Sequence, residues 1–331
     1  MAVNEESLKM NLLTVSPSPH ITSSESIPKI MWSVNAALVP AVIFAAWYFG
    51  MPAIITMLVG VVSAVATEYL VQIIRKKEVT IKDGSAVLTG LLLAMCLPPN
   101  LPWYMTAFGS FLAIAVAKQS LGGLGYNIFN PAHIGRAALM VSWPVAMTTW
   151  TKMTTPVDVV SSATPLNILK QQGYAKLIET FGDAPNMYKA MFLGMRNGSI
   201  GETSAVLLIL GGLFLIYKGY IKWEVPVVMI GTVGILTWVF GPSGLFTGDA
   251  VFHMLAGGLI IGAFFMATDM VTIPITRKGQ IIFALGAGLL TVLIRLKGGY
   301  PEGVCYSILL MNCVTPLIDR FVTPKKFGAR R

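Results

Sequence analysis

The chain has 331 residues, 55% hydrophobic and only 12% charged, with a mean hydropathy of +0.70 and a formal net charge of +9. Soluble domains carry about 25% charged residues, so this composition excludes an ordinary soluble domain and places the chain in the membrane class. The positive charge lies in loops and in the tail, which reads as basic cytoplasmic loops rather than a nucleic-acid surface.

The first 29 residues are polar, with Glu5, Glu6, Lys9, Pro17, Pro19 and Pro28, and contain no cleavable signal pattern. Apolar spans are expected at 30–49, with Trp32 and Tyr48 as interface anchors, and at 51–74, with Pro52 marking the tight break between them. The run 85–97 is too short to cross a hydrocarbon core of ~30 Å and ends in a proline cluster at 98–102, which reads as a broken helix. A fourth span at 103–117 precedes a glycine-rich break at 122–131, and a fifth at 132–145 carries His133 and Arg136. A long polar insert follows, and Gly201-Glu202-Thr203-Ser204 reads as the start of a sixth span at 205–217. Further spans are expected at 225–240, at 250–267 with Asp249 as its cap, at 281–296 and at 304–318.

The fold class is therefore all-α polytopic, with about ten transmembrane segments. Its parts are an N-terminal segment 1–29, a five-span half 30–145, an insert 146–202, a second five-span half 203–318 and a basic tail 319–331. Gly84-Ser85-Ala86-Val87 resembles Gly248-Asp249-Ala250-Val251, and Gly125-Tyr126 resembles Gly299-Tyr300. Five spans per half make the halves inverted, an architecture of transporters with broken helices. Lysine and arginine concentrate after spans two, four, six and eight and at both termini, which places both termini in the cytoplasm and the insert on the outer face. Only Arg295 and Lys297 dissent.

Within the insert, Asp158-Val159-Val160-Ser161-Ser162-Ala163-Thr164-Pro165 supports two readings. Thr164 caps a short helix that starts at Pro165 and ends at Gly173, or its hydroxyl carries a cofactor. Asp158, Ser161, Ala163 and Thr164 match the acceptor motif of flavin transferases, which join FMN to threonine through a phosphoester, although Ser162 stands where that motif usually has glycine. The sequences 125–132, 198–204, 262–269 and 299–303 carry a wider likeness. By them the chain, after residue 30, resembles the D subunit of the Rnf electron-transport complex, and more distantly the B subunit of the sodium-translocating NADH:quinone reductase.

That resemblance implies FMN covalently bound at Thr164, and a flavoprotein subunit of a prokaryotic plasma-membrane translocase that relays electrons between ferredoxin and NAD and drives sodium or proton export. It implies the A, B, C, E and G subunits as partners, the G subunit on the outer face, a flavin transferase for attachment, and a second, non-covalent riboflavin as a relay. Asn127 and Asn130 either form a turn or line a cavity, and Arg136 either neutralises flavin or phosphate charge or snorkels at a rim. Glu68 and Asp269 are ion-path candidates, or solvated or capping residues near helix ends, His253 is an interfacial residue, and Glu202 completes a helix start. Cys96, Cys305 and Cys313 lack metal-ligand spacing and are too few for a four-thiolate cluster, so they read as small buried hydrophobes. No dinucleotide fingerprint or catalytic triad is present, so no NAD site is expected in this chain. The rival class, resting on the broken helices and repeat alone, is a flavin-independent transporter or channel.

Overall fold

The computed structural model describes residues 25–152, 160–161, 164–241 and 244–324. Asp158, Ser162 and Ala163 lie outside the described residues.

Helix α1 (Ile27–Phe49) starts where the Ser26 hydroxyl accepts from Lys29 N, and it ends at Gly50, whose φ of +69° also turns the chain into α2 (Met51–Ile74). Helices of 23 and 24 residues span ~35 Å, enough for a hydrocarbon core. With α13 (Arg277–Lys297) and α14 (Val304–Phe321), they are four helices long and apolar enough to cross a membrane. The short α3 (Ser85–Met95) stops before the proline cluster, as expected, and Thr56 on α2 donates to the Pro99 carbonyl to hold that break. α3 crosses α2 at Gly60 and Gly90, where a Cβ on Gly90 would stand 2.5 Å from the Gly60 carbonyl oxygen. Small residues of this kind let membrane helices approach closely.

The fourth span differs from a plain helix. α4 (Trp103–Phe111) runs into a π-helical stretch, Leu112–Gln119. The fifth is shorter than 132–145: α5 (Pro131–Ser142) ends before Pro144, which opens a separate short α6 (Pro144–Thr148). The eighth is broken rather than continuous. α11 (Ala250–Leu255) and α12 (Leu259–Ile261) are separated at Gly257, whose φ is +66°, and α12 passes into a second π-helical stretch, Gly262–Met266. π-helical segments recur at functional sites.

Among its described residues the insert holds two long helices. α7 (Pro165–Phe181) does not end at Gly173 but kinks there, at φ +83°, and α8 (Ala184–Leu193) follows. Leu166, Ile168, Leu177, Met187 and Met191 make a small core with Phe252 and Ala256 of the broken eighth span. Ahead of α7, β1 (Thr151–Lys152) pairs antiparallel with β2 (Val160–Ser161). α9 (Ala205–Tyr217) and α10 (Glu224–Val239) complete the second half, and β3 (Phe240–Gly241) and β4 (Gly244–Leu245) form a hairpin beyond α10.

α2 packs on α3 and α4, and α10 packs on α11 and α13; α4 and its π-helical stretch pack on α5, and α13 packs on α14. α1 also meets α9, and α5 meets α14. The connections also segregate. Near the insert, Ile200 N donates to the Leu97 carbonyl at 3.1 Å, Lys170 Nζ to the Gly298 and Tyr300 carbonyls, and Tyr174 and Tyr188 to Asp249. At the other end, Lys77 Nζ donates to the Gly122 carbonyl, Trp32 Nε1 to Lys82, and Tyr220 to Glu25. Ile43, Trp47, Leu58, Val62, Leu210 and Ile235 stand exposed on the helices, an apolar surface that monomeric soluble proteins avoid.

Candidate functional site

Thr164 is the N-cap of α7: its φ and ψ are extended, and its Oγ1 accepts from Asn167 N at 3.2 Å. The capping reading of the sequence is therefore met, and it sets the hydroxyl among the free N–H groups of a helix start, where a phosphate is favoured. Thr164 is buried, yet it lines a cavity of about 340 Å³ with Arg136, Met147, Trp150, Tyr300 and Tyr306. That volume lies in the ~300–1,000 Å³ range of small-molecule sites. The Tyr300 and Tyr306 rings lie 5.9 Å apart at 31°, giving an aromatic wall. A hydroxyl at a helix start, one guanidinium and an aromatic wall suit a phosphorylated flavin. Ser161 is in β2, close in sequence to this hydroxyl, with its backbone paired to Thr151.

Arg136 is buried rather than snorkelling, and its Nη2 meets Glu302 Oε2 at 2.5 Å. Glu302 lies on the connection from α13 to α14, and sequence reasoning does not single it out; its one signal is its place in Gly299-Tyr300-Pro301-Glu302-Gly303. Burial acts to raise its carboxyl, but Arg136 overrides that and brings it down to about 2. Arg295 does not face solvent either. It donates to the His253 and Ala256 carbonyls at 2.6 and 2.8 Å, satisfying chain ends left by the break in the eighth span.

Asn130 sits elsewhere. It caps α5 through Ala132 N, and its Nδ2 donates to the Met266 carbonyl at the end of the second π-helical stretch. With Asn127, Lys118 and Asp269 it lines a separate cavity of about 80 Å³, well below the ~300 Å³ of ordinary small-molecule sites. The breaks at 127–131 and 299–303 therefore open on different cavities.

Other expectations change with burial. Glu68 is neither solvated nor a cap: it pairs with Lys118 at 2.8 Å, both side chains 1% exposed, and accepts from Gln119. Asp269 does cap a turn, accepting from Val271 N and Thr272. His253 is buried beneath the insert rather than interfacial. Glu202 does not cap α9, a role that Ser204 takes through Leu207 N; it is buried, with Ser199 on one oxygen. Cys96 and Cys305 are buried as expected, whereas Cys313 is exposed.

The family described as NQR2, RnfD, RnfE matches residues 14–328. The chain is 70% identical over 329 residues to the D subunit of the proton-translocating ferredoxin:NAD(+) oxidoreductase complex of Clostridium ljungdahlii, covering 99% of both chains. It is 46% identical over 321 residues to the D subunit of the Na(+)-translocating ferredoxin:NAD(+) oxidoreductase complex of Acetobacterium woodii, covering 96% of both. It is 39% identical over 332 residues to the D subunit of the ion-translocating oxidoreductase complex of Stutzerimonas stutzeri, covering 92% of both.

Proposed function

The chain belongs to the NQR2, RnfD, RnfE family, and from that premise we propose that it is the D subunit of a membrane complex that transfers electrons between ferredoxin and NAD and translocates ions. The observation that carries this reading is 70% identity along almost the whole chain to a protein of that name. The partners are the other subunits of such a complex.

Within it, this subunit carries FMN as a phosphoester on Thr164. When bound, the flavin supplies one- and two-electron redox chemistry. The protein's own residues position it. α7 offers its N-terminal N–H groups to the phosphate. Arg136 presents positive charge to the cavity, and Glu302 holds that guanidinium in place. Tyr300, Tyr306 and Trp150 supply aromatic surface and keep water from the cavity wall. A non-covalent riboflavin belongs in the membrane part of this subunit or at its border with a neighbour.

Two features support a ten-span, inverted arrangement. Connections after odd-numbered spans meet at the insert, while those after even-numbered spans gather with the N-terminal segment, as alternating crossings require. The matching pairs in the two halves fit a repeat.

The deciding experiment is a denaturing gel of the protein co-expressed with a flavin transferase. The wild-type band should fluoresce, Thr164→Ala should abolish the signal, and Thr164→Ser should keep part of it. A fluorescent Thr164→Ala band defeats the attachment site. A wild-type chain that lacks flavin within an assembled complex favours the transporter reading.

A further inference from the structure

Glu202 lies in a 3₁₀ turn, Ile200–Glu202, between α8 and α9, and is 3% exposed. Its Oε1 accepts from the Ser199 hydroxyl at 2.8 Å, while its Oε2 is buried without a donor. Glu302 takes Arg136 on Oε2, and its Oε1 is likewise buried without a donor. The two carboxyl groups lie within hydrogen-bonding reach of each other. Buried polar atoms are nearly always paired, and two ionised carboxylates at this range repel. One proton removes both difficulties, because it turns one orphan oxygen into a donor for the other.

We propose that Glu202 and Glu302 form a one-proton site, with the proton carried on Glu202 Oε2 and donated to Glu302 Oε1. The neighbours decide which residue holds it. Of the two carboxyl groups, Arg136 from α5 bonds to that of Glu302. Arg196, on the connection after α8, spends its Nε and Nη2 on the Glu202 backbone carbonyl at 3.1 and 3.0 Å. Arg295 from α13 is bound to the His253 and Ala256 carbonyls. The thiols of Cys96 and Cys305 complete the titratable surroundings. Among the described residues, no cation therefore contacts the Glu202 carboxylate. Burial first, and Glu302 second, push the Glu202 carboxyl well above the ordinary range, while Arg136 holds Glu302 low. Carboxyl groups driven apart in this way divide into a proton holder and an acceptor. A metal cation is a poor occupant, since hard cations need a cage of oxygens and three guanidinium groups surround this pair.

Glu302 also lines the Thr164 cavity. The site borders the space in which charge changes when the cavity's occupant is reduced, a link that rests on the flavin reading; the proton site itself does not. Loss of the proton leaves two carboxylates among three guanidinium groups, and its return restores the shared hydrogen bond. Negative charge arriving in the cavity favours the protonated state.

The test is infrared spectroscopy of the purified complex in H₂O and D₂O at neutral pH. The wild type should show a protonated-carboxyl band that shifts in D₂O and is lost in Glu202→Gln, whose amide still donates to Glu302. Ser199→Ala, which removes the donor to Oε1, should move the band to higher frequency without deleting it, and this reading is independent of how well Glu202→Gln assembles. A wild type without the band, a band retained in Glu202→Gln, or one unmoved by Ser199→Ala overturns the assignment. Gel fluorescence is read on the same samples. Fluorescence without the infrared band sinks the proton site alone, and the band without fluorescence sinks the flavin reading alone.

Discussion

At the scale of single residues, the ion pair between Arg136 and Glu302 makes a measurable commitment. Removing one member of a buried pair typically costs about 3–5 kcal/mol because the other charge is left uncompensated. Arg136→Met and Glu302→Gln should each lower the unfolding temperature of the purified complex, and the double variant should lose far less than the sum of the two. An additive double variant would show that the pair does not couple. The pH dependence has a definite sign. Glu302 is held below its ordinary carboxyl value of 4.5, at about 2. Its stabilisation is therefore present in full above about pH 4.5 and is lost as pH falls through about 2. The coupling should shrink over that acid window and be unchanged on the alkaline side. Arg136 is legible in the sequence as a charge within an apolar run, because such a charge must find a partner. Glu302 is not, because it lies 166 residues away in what reads as an exposed turn. Arg295 shows the same limit: it contradicts the loop-charge pattern only because its burial is a tertiary fact.

At the scale of elements, caps and breaks are legible where a residue type has a local job. Thr164, Asn130, Ser204 and Asp249 all cap the helices that follow them. The π-helical stretches are not legible, since their spacing leaves no trace in apolar composition. Gly173 reads as a stop in the sequence, yet a left-handed glycine ends one helical segment without preventing the next. Two glycines in the insert separate conformation from packing. Gly182 has a φ of +87° with a ψ of −50° and nothing within 4 Å, so Gly182→Ala should cost backbone strain alone, about 1–3 kcal/mol. Gly194 has a φ of +98°, and a Cβ there would stand 1.9 Å from the Thr203 carbonyl oxygen. Gly194→Ala should cost clearly more and displace the chain next to Glu202. Limited proteolysis and thermal unfolding of the two variants will rank them; equal effects would mean that α8 does not dock as described.

At the scale of the whole molecule, membrane character is legible from composition, while the docking of the insert onto both halves is not, because it depends on contacts far apart in sequence. The orientation is open to labelling. In a Cys313→Ser background, which removes the exposed thiol, a cysteine at Gln172 should react with an impermeant reagent outside intact cells, and one at Lys77 only after the membrane is opened. The opposite pattern would reverse both the loop-charge argument and the side on which Thr164 lies. The insert bonds to Leu97 in the first half and to Asp249, Gly298 and Tyr300 in the second. Mechanically it is a clasp closed over one end of a two-part body. A clasp makes its own end the fulcrum, so if the halves rock, displacement is smallest beside Thr164 and grows toward the opposite end. A tilt of about 5° acting over a core of ~30 Å moves the far ends by roughly 3 Å. On that geometry the cavity at Thr164 would keep its dimensions while the distant end, around Lys118 and Asn130, changed its own.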